Sequence, residues 1–308
     1  MSHSNGHSRK IITPFLWFDS QAEEAAKLYT SLFADSRITH LSHYTDEGRE
    51  THGQPSGKVM VAGFELAGQR FSGLNGGPVF KPNPSISFFV QFDTVAEVDA
   101  LWAGLNGGGS VLMPLDSYPW SQRYGWLNDR YGVSWQISVM EKPAEGQTIT
   151  PSLMFTGDNL GRVSEAIELY TGIFPDSATG MVQYREPAEG EASGTVLFGQ
   201  FKLCGQSFNI MDAPGPHDFS FTEGVSLMVL CETQAEIDHY WEALTANGGQ
   251  ESQCGWLKDK FGVSWQITPT VMEGLMASTD PLKADRLMKT MLKMKKLEIA
   301  TLEAAARG

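Results

Sequence analysis

Two glutamines occupy matched places in this chain and raise the first question of chemistry. Gln136 lies in Gly125-Trp-Leu-Asn-Asp-Arg-Tyr-Gly-Val-Ser-Trp-Gln-Ile137, and Gln266 in Gly255-Trp-Leu-Lys-Asp-Lys-Phe-Gly-Val-Ser-Trp-Gln-Ile267. Side chains alternate along a strand, so Val133, Trp135 and Ile137 share one face and Ser134, Gln136 and Ser138 the other. An amide among hydroxyls either orients a ligand by hydrogen bonds or satisfies buried backbone groups. Trp126 and Trp256 precede the turn, placed to stack on a planar ligand or to fill a core. Asn75 and Asp212 follow a strand at matched positions. Asp212, in Ile210-Met-Asp-Ala-Pro214, is the better acid candidate, with turn capping as the alternative. Trp120 belongs to a segment that only the first copy carries, and His217 lies in Gly215-Pro-His-Asp218, a loop over the second copy.

Other chemistries find less support. His40, His43, His52 and His239 show no two-histidine zinc spacing, and His3 and His7 offer adventitious metal binding only. Cys204, Cys231 and Cys254 are odd in number and form no C-x-x-C pair, which predicts a reduced, cytoplasmic protein. Cys254 takes the place of Tyr124 and reads as a small hydrophobe, since no base accompanies it. GxGxxG, P-loop, HExxH and GxSxG patterns are missing from the sequence.

The elements that must position these residues come in two copies. Ile12-Thr-Pro14 returns as Ile149-Thr-Pro151, and Phe64-Glu-Leu-Ala-Gly-Gln69 as Phe201-Lys-Leu-Cys-Gly-Gln206. A period this long means whole domains in tandem, at 11–140 and 148–270, with a polar linker over 141–147. In the first copy, a strand over 12–18 leads to a helix that Ser20 caps with Glu23. Strands over 59–66 and 70–74 meet at Ala67-Gly68-Gln69, a hairpin turn. A strand over 85–92 precedes a helix opened by Thr94-x-x-Glu97, and Thr233-x-x-Glu236 repeats that box. Each copy thus reads as a pair of βαβββ modules, an α+β class, whose mixed sheet is cupped with helices outside. Gly125 follows Leu105 by 20 positions, whereas Gly255 follows Leu244 by 11. The extra residues, with Tyr118 and Trp120, predict a longer hairpin over the first cup.

Residues 279–304 form an amphipathic helix with no counterpart in the first copy, opened by Asp280-Pro281. From 281 onward the tail holds 7 Lys/Arg against 3 acids, in a chain whose net charge is −13. Such a helix docks on its own acidic body or on a sister subunit, leaving a homodimer open. The acidic balance argues against nucleic-acid binding. At 308 residues with 41% hydrophobic and 19% charged residues, the chain is globular, and no apolar run is long enough for a membrane span. Met1 to Lys10 is polar and does not read as a secretory signal.

These blocks, with Leu74-Asn-Gly-Gly-Pro78 and Met113-Pro-Leu-Asp-Ser-Tyr-Pro119, resemble the vicinal-oxygen-chelate superfamily of glyoxalase, bleomycin-resistance protein and extradiol dioxygenase. Within it the chain resembles the PhnB-like family, which carries the name 3-demethylubiquinone-9 3-methyltransferase, over about 11–304. The resemblance implies paired βαβββ modules and, in many members, a divalent metal held by His and Glu inside the cup. The corresponding positions here carry Gln136 and Gln266 on the closing strands, with Thr13 and Ser87, and Thr150 and Ser226, on the opening ones. Amides and hydroxyls are weak ligands for such metals, so no metal or other cofactor is expected to be firmly held. A methyl donor usually rests on a glycine-rich strand-to-helix loop, which this sequence lacks. The leading expectation is a protein that binds a small molecule in its cup. The alternatives are a superfamily enzyme (a metal-dependent isomerase, a dioxygenase or the methyltransferase of the family name) and a non-catalytic dimer-like scaffold.

Overall fold

The computed structural model describes residues 12–47, 49–140, 146–186, 194–276 and 281–308. His3, His7, most of the linker and the Asp280 cap lie outside them. The chain runs through four modules. The first holds β1 (Ile12–Phe18), α1 (Ala22–Leu32), β2 (Arg37–His43), the short α2 (Arg49–His52), β3 (Val59–Leu66) and β4 (Gln69–Asn75). The second holds β5 (Ile86–Phe92), α3 (Val95–Leu105), β6 (Ser110–Tyr118), β7 (Ser121–Asn128) and β8 (Ser134–Val139). The third holds β9 (Ile149–Phe155), α4 (Val163–Ile173), β10 (Ala178–Tyr184), β11 (Val196–Leu203) and β12 (Gln206–Asp212). The fourth holds β13 (Val225–Cys231), α5 (Gln234–Thr245), β14 (Gln250–Glu251), β15 (Trp256–Lys258) and β16 (Ser264–Pro269). Helices α6 (Val271–Met276), α7 (Pro281–Met291) and α8 (Ile299–Arg307) follow.

The strands form two eight-stranded mixed sheets, ordered β14-β15-β16-β13-β1-β4-β3-β2 and β10-β11-β12-β9-β5-β8-β7-β6. The fold class is therefore the expected one: paired βαβββ modules in cupped sheets, with C-terminal helices. The modules are shared out differently from their order in the chain. The first and last modules join through antiparallel β1 and β13, with Thr13 beside Met228 and Phe15 beside Ser226. The middle two join through β5 and β9, with Ser87 beside Ser152 and Phe89 beside Thr150. We call the first pair the outer cup and the second the inner cup. Each cup takes one module from each sequence repeat, so neither repeat closes a cup alone.

Packing explains this exchange. The two modules of a repeat meet through their apolar faces. Trp135 on β8 lies 5.3 Å from the Tyr29 ring on α1 and 5.3 Å from Phe88, and Phe71 on β4 lies 5.3 Å from Phe88. Trp265 repeats the arrangement with Tyr170 at 5.5 Å and Phe174 at 5.3 Å. Back-to-back packing uses the helix-bearing faces and leaves β1 and β5 as edges for the other repeat to pair.

Local signals set the pieces. Ala67 and Gly68 both have positive φ, 47° and 77°, as a two-residue type I′ hairpin requires. Thr94 and Thr233 form full capping boxes with Glu97 and Glu236. Ser20 does not cap α1: the N-cap is Gln21 with no side-chain bond, and Asn75 Oδ1 accepts from Ala22 N at 2.7 Å instead. A buried amide at the end of β4 thus does what a local side chain was expected to do.

The tail is two helices where one was expected. The chain unwinds after Met291, and the freed carbonyls of Met294 and Lys295 accept from Cys254 N (2.8 Å) and Gly255 N (2.7 Å). The tail docks on its own body. Met288, Met291 and Leu292 cluster with Tyr44, Met60, Val61 and Leu74, while Leu287, Leu297, Leu302 and Met272 form a second cluster. Lys296 pairs with Asp238 at 2.7 Å and Lys295 with Glu251 at 3.3 Å. No helix among the described residues is long and apolar enough to cross a membrane.

Candidate functional site: two cups of unequal chemistry

Alternation puts Gln136 and Gln266 on the helix-free faces, the cup sides of their sheets. In the inner cup, Trp126 on β7 is in register with Gln136. The amide is used at both ends: Gln136 Nε2 donates to Ser87 Oγ at 2.9 Å, and Tyr124 OH donates to Gln136 Oε1 at 2.8 Å. Trp126 Nε1 donates to Ser134 Oγ at 2.8 Å. Asn209 Nδ2 reaches Ser152 Oγ at 3.2 Å, so the third module adds its own polar pair. Burial pushes the Tyr124 hydroxyl well above its usual range, with the nearby Tyr118 adding to the effect. Tyr118 and Trp120 stack at 5.1 Å, and both rings stand edge-on to Tyr124, at 5.5 and 5.9 Å. The insertion peculiar to the first repeat therefore leans over the inner cup, with Trp120 exposed.

The outer cup differs atom by atom. Trp256 on β15 is in register with Gln266, and Gln266 Nε2 donates to Ser226 Oγ at 2.9 Å. Cys254 does not supply the donor that Tyr124 gives its counterpart. Its thiol turns to the Met291 carbonyl at 3.6 Å, and burial pushes it up to about 11. Among the described residues nothing donates to Gln266 Oε1. Ser264 Oγ is buried with no partner, whereas Ser134 Oγ has the Trp126 indole. Leaving a buried hydroxyl unpaired costs about 1–3 kcal/mol. The Trp256 ring packs instead edge-on to Phe15 and Trp17, both at 5.9 Å, and Trp17 meets Phe80 at 5.0 Å. Phe15, Trp17, Ser72 and Leu74 lie on this same face through the β1–β4 register. Val61 and Leu74 carry the methionines of α7, and the turn after α7 holds Cys254 and Gly255. Helix α7 and that turn bridge the two modules of the outer cup.

The other candidates have structural duties. Asn75 is 2% exposed, caps α1, and donates from Nδ2 to Val59 O at 2.9 Å. Asp212 accepts from Gly161 N at 2.7 Å and Val196 N at 2.8 Å. Burial raises its carboxyl while those amides pull it down. Asn75 thus holds the start of α1, and Asp212 ties the loop before α4 to the start of β11. His217 is exposed, its ring 5.2 Å from Phe219 on the loop before β13.

Sequence reasoning missed the buried carboxylates Asp129 and Asp259, although the repeated Asp-x-x-Gly motif marks them. Asp129 Oδ2 accepts from Tyr29 OH (2.7 Å) and Trp135 Nε1 (2.9 Å), and Oδ1 from Tyr131 N (2.8 Å) and Val133 N (3.1 Å). Asp259 does the same with Tyr170 OH (2.7 Å), Trp265 Nε1 (2.9 Å), Phe261 N (2.9 Å) and Val263 N (3.1 Å). Gly132 and Gly262, with φ of 87° and 86°, let the chain turn back onto the carboxylate. Burial pushes both carboxyls up against their four donors. Sequence reasoning also missed Phe15 and Trp17, which only the sheet order brings beside Gln266, and Tyr124, which meets Gln136 across the neighbouring strand.

The donor set does not fit a divalent metal. The matched positions offer Thr13, Ser226 and Gln266 in the outer cup and Ser87, Thr150 and Gln136 in the inner one. Among the described residues no three His, Cys, Asp or Glu side chains converge. Neutral amides and hydroxyls are poor substitutes for imidazole and carboxylate.

The fold is glyoxalase-like, with composite cups. The family model described as 3-demethylubiquinone-9 3-methyltransferase matches residues 10–138 and again 147–268, and the chain belongs to that family. The PhnB protein from Bacillus cereus is 41% identical over 42% of this chain and 98% of its own, with a TM-score of 0.39. A protein from Staphylococcus aureus is 37% identical over 42% of this chain and 96% of its own, with a TM-score of 0.18. Relatives of this kind are one repeat long. Glyoxalase I from Zea mays shares the tandem fold, with 9% identity over 88% of this chain and 97% of its own and a TM-score of 0.55. No curated protein matches the chain.

Proposed function

We propose that the chain binds a small, planar, largely apolar molecule in a composite cup, gripped by side-chain hydrogen bonds. The observation that carries this reading is the glutamine at the floor of each cup. It stands beside a serine and is flanked by aromatic rings from neighbouring strands. Pockets for small molecules combine apolar walls with a few placed polar groups, and this arrangement has both. Both modules of each cup come from one chain, so a second copy is not required to complete a site. Pairing of two copies through the tail would have to use surfaces other than the clusters that dock it. Family membership supports the reading through the fold, and the methyltransferase name adds no residue to it.

The test is protein-observed NMR on the isotope-labelled full chain with a library of planar aromatic fragments. Bound fragments should shift the side-chain amides of Gln136 or Gln266 and the indole signals beside them. Fragments that bind while leaving all of these signals unmoved would refute the assignment of the cups as the binding sites.

A further inference from the structure

Resting on that reading, we propose that the chain's own tail occupies the outer cup and that the ligand belongs to the inner cup, where an apolar seat matched to the tail's stands open. Repeat symmetry makes the comparison internal to the molecule. On the first module, Met288, Met291 and Leu292 of the tail rest on Tyr44, Met60, Val61 and Leu74. Val61 pairs with Leu74 and Leu74 with Trp17, so this seat reaches the cup face. On the fourth module, the carbonyls of Met294 and Lys295 hold Cys254 and Gly255, so the tail spans the outer cup from wall to wall. The spacing that matches Phe64 with Phe201 also matches Met60, Val61 and Leu74 with Leu197, Phe198 and Met211 of the third module. Arg185 N donates to Thr195 O as Tyr44 N donates to Lys58 O, which puts Arg185 in the place of Tyr44. The two seats differ in cover. Met60 is 8% exposed and Tyr44 5%, whereas Leu197 is 40% exposed, and Met181 and Tyr184 on the adjoining β10 are each 55% exposed. Phe198 and Met211 are half-buried. Apolar side chains grouped and exposed in this way mark a binding surface.

The surroundings specify what fills the open seat. The polar groups of the inner cup are engaged with one another: Gln136 with Ser87 and Tyr124, Asn209 with Ser152, and Gln200 with Asn209 at 3.4 Å. Gln136 keeps one amide hydrogen beyond the one given to Ser87, so a single acceptor on the ligand suffices. Burial raises the Asp212 carboxyl, and the Arg185 charge is among the groups that pull it back, so Arg185 has its counter-charge within the body. A charged or strongly polar compound would therefore lose its hydration without gaining partners. The side chains that the tail lays on the matched seat are themselves apolar and uncharged. The rings of Phe198 and Trp126 favour a flat ligand. The class that fits is an uncharged, mainly apolar aromatic molecule with at most one polar group. The insertion with Tyr118 and Trp120 leans on Tyr124 and leaves Leu197 exposed, so it edges this cup without filling the seat.

The experiment uses isotope-labelled full-length protein, with biphenyl-4-methanol as probe and 4,4′-bipyridine as its polar match. The side-chain amides are assigned by their loss in Gln136→Met and Gln266→Met, and the methionine methyls by their loss in Met211→Leu and Met288→Leu. The biphenyl probe should saturate a single site, shifting the Gln136 amide, the Trp126 indole and the Met211 methyl while the Gln266 amide and the Met288 methyl stay in place. It should bind at least about tenfold more tightly than the bipyridine. Leu197→Asp, at an exposed position, should weaken it about fivefold or more and leave Tm unchanged. Met288→Asp combined with Leu292→Asp should free α7, read as lost amide protection along that helix, and raise the stoichiometry from one probe to two as the outer cup opens. The Gln136 shift, kept in that variant, reports that the body is still folded. Shifts at Gln266 or Met288 in the wild type would overturn the tail as occupant of the outer cup and leave cup binding standing. So would α7 protection kept in the double variant, or a freed α7 with still one site. Equal affinity for the two probes, or full affinity in Leu197→Asp, would overturn the apolar seat. No saturable shift in either cup with either probe would overturn both this inference and the reading beneath it.

Discussion

At the residue scale, the buried carboxylates carry the most testable consequence. Asp129 ties α1 to β8 through Tyr29 and Trp135, and it closes its own turn through two backbone amides. Asp129→Ala strands these donors in a dry core, which should cost at least about 3 kcal/mol, measured by urea unfolding. Burial raises the carboxyl, so the folded state holds its proton more tightly than the unfolded one. That contribution to stability is complete below the ordinary aspartate value near 4 and is lost as pH rises through the raised folded value. The stability gap between wild type and Asp129→Ala should therefore be wider at pH 4.5 than at pH 7.5. A gap that widens toward neutrality would contradict the sign. The sequence displayed Asp129 and Asp259 in a repeated motif, but the partners that give them meaning lie about a hundred residues away in the chain for each tyrosine. For the same reason Asn75 and Asp212 stood out as polar residues after a strand while their helix-entry contacts did not.

Signals at the scale of elements were legible wherever they were local. The two Thr-x-x-Glu boxes needed only three residues of spacing, and both formed. The hairpin at Ala67-Gly68 formed because the turn itself demands positive φ. Ser20 with Glu23 offered the same box pattern, but Asn75 reached the helix start from the end of β4. Tertiary contact outweighed the local pattern. Thr94→Ala should then lower stability by about 1 kcal/mol, while Ser20→Ala should change it by less than about 0.5. Thermal unfolding of the two variants checks this, and equal losses would return the cap to Ser20. The tail shows the same competition. Its apolar spacing predicted one helix, yet carbonyls after Met291 turned outward to hold Cys254 and Gly255, a contact no periodicity encodes.

The whole molecule is where sequence order and spatial order part. Two repeats in a row suggest two self-contained cups, and the internal identity of the closing blocks strengthens that picture. Which edge pairs with which depends on how the apolar faces of two modules meet, and alternation alone is silent on that. Once Trp135 and Trp265 bury their modules back to back, β1 and β5 are left to the other repeat. Residues 11–140 produced alone should therefore self-associate, since both edges would lack partners. Light scattering should return twice the mass of the fragment, and a stable monomer would contradict the shared sheets.

Amides and hydroxyls stand at the matched positions of both cups, and no three His, Cys, Asp or Glu side chains converge among the described residues. The most direct measurement is metal uptake, by elemental mass spectrometry and titration, on protein lacking residues 1–10, which removes His3 and His7. The expected result is no stoichiometric manganese, iron, nickel or zinc in the wild type, and increased uptake in Gln266→Glu, where a carboxylate would enter the outer cup. Near-stoichiometric metal in the wild type would contradict it.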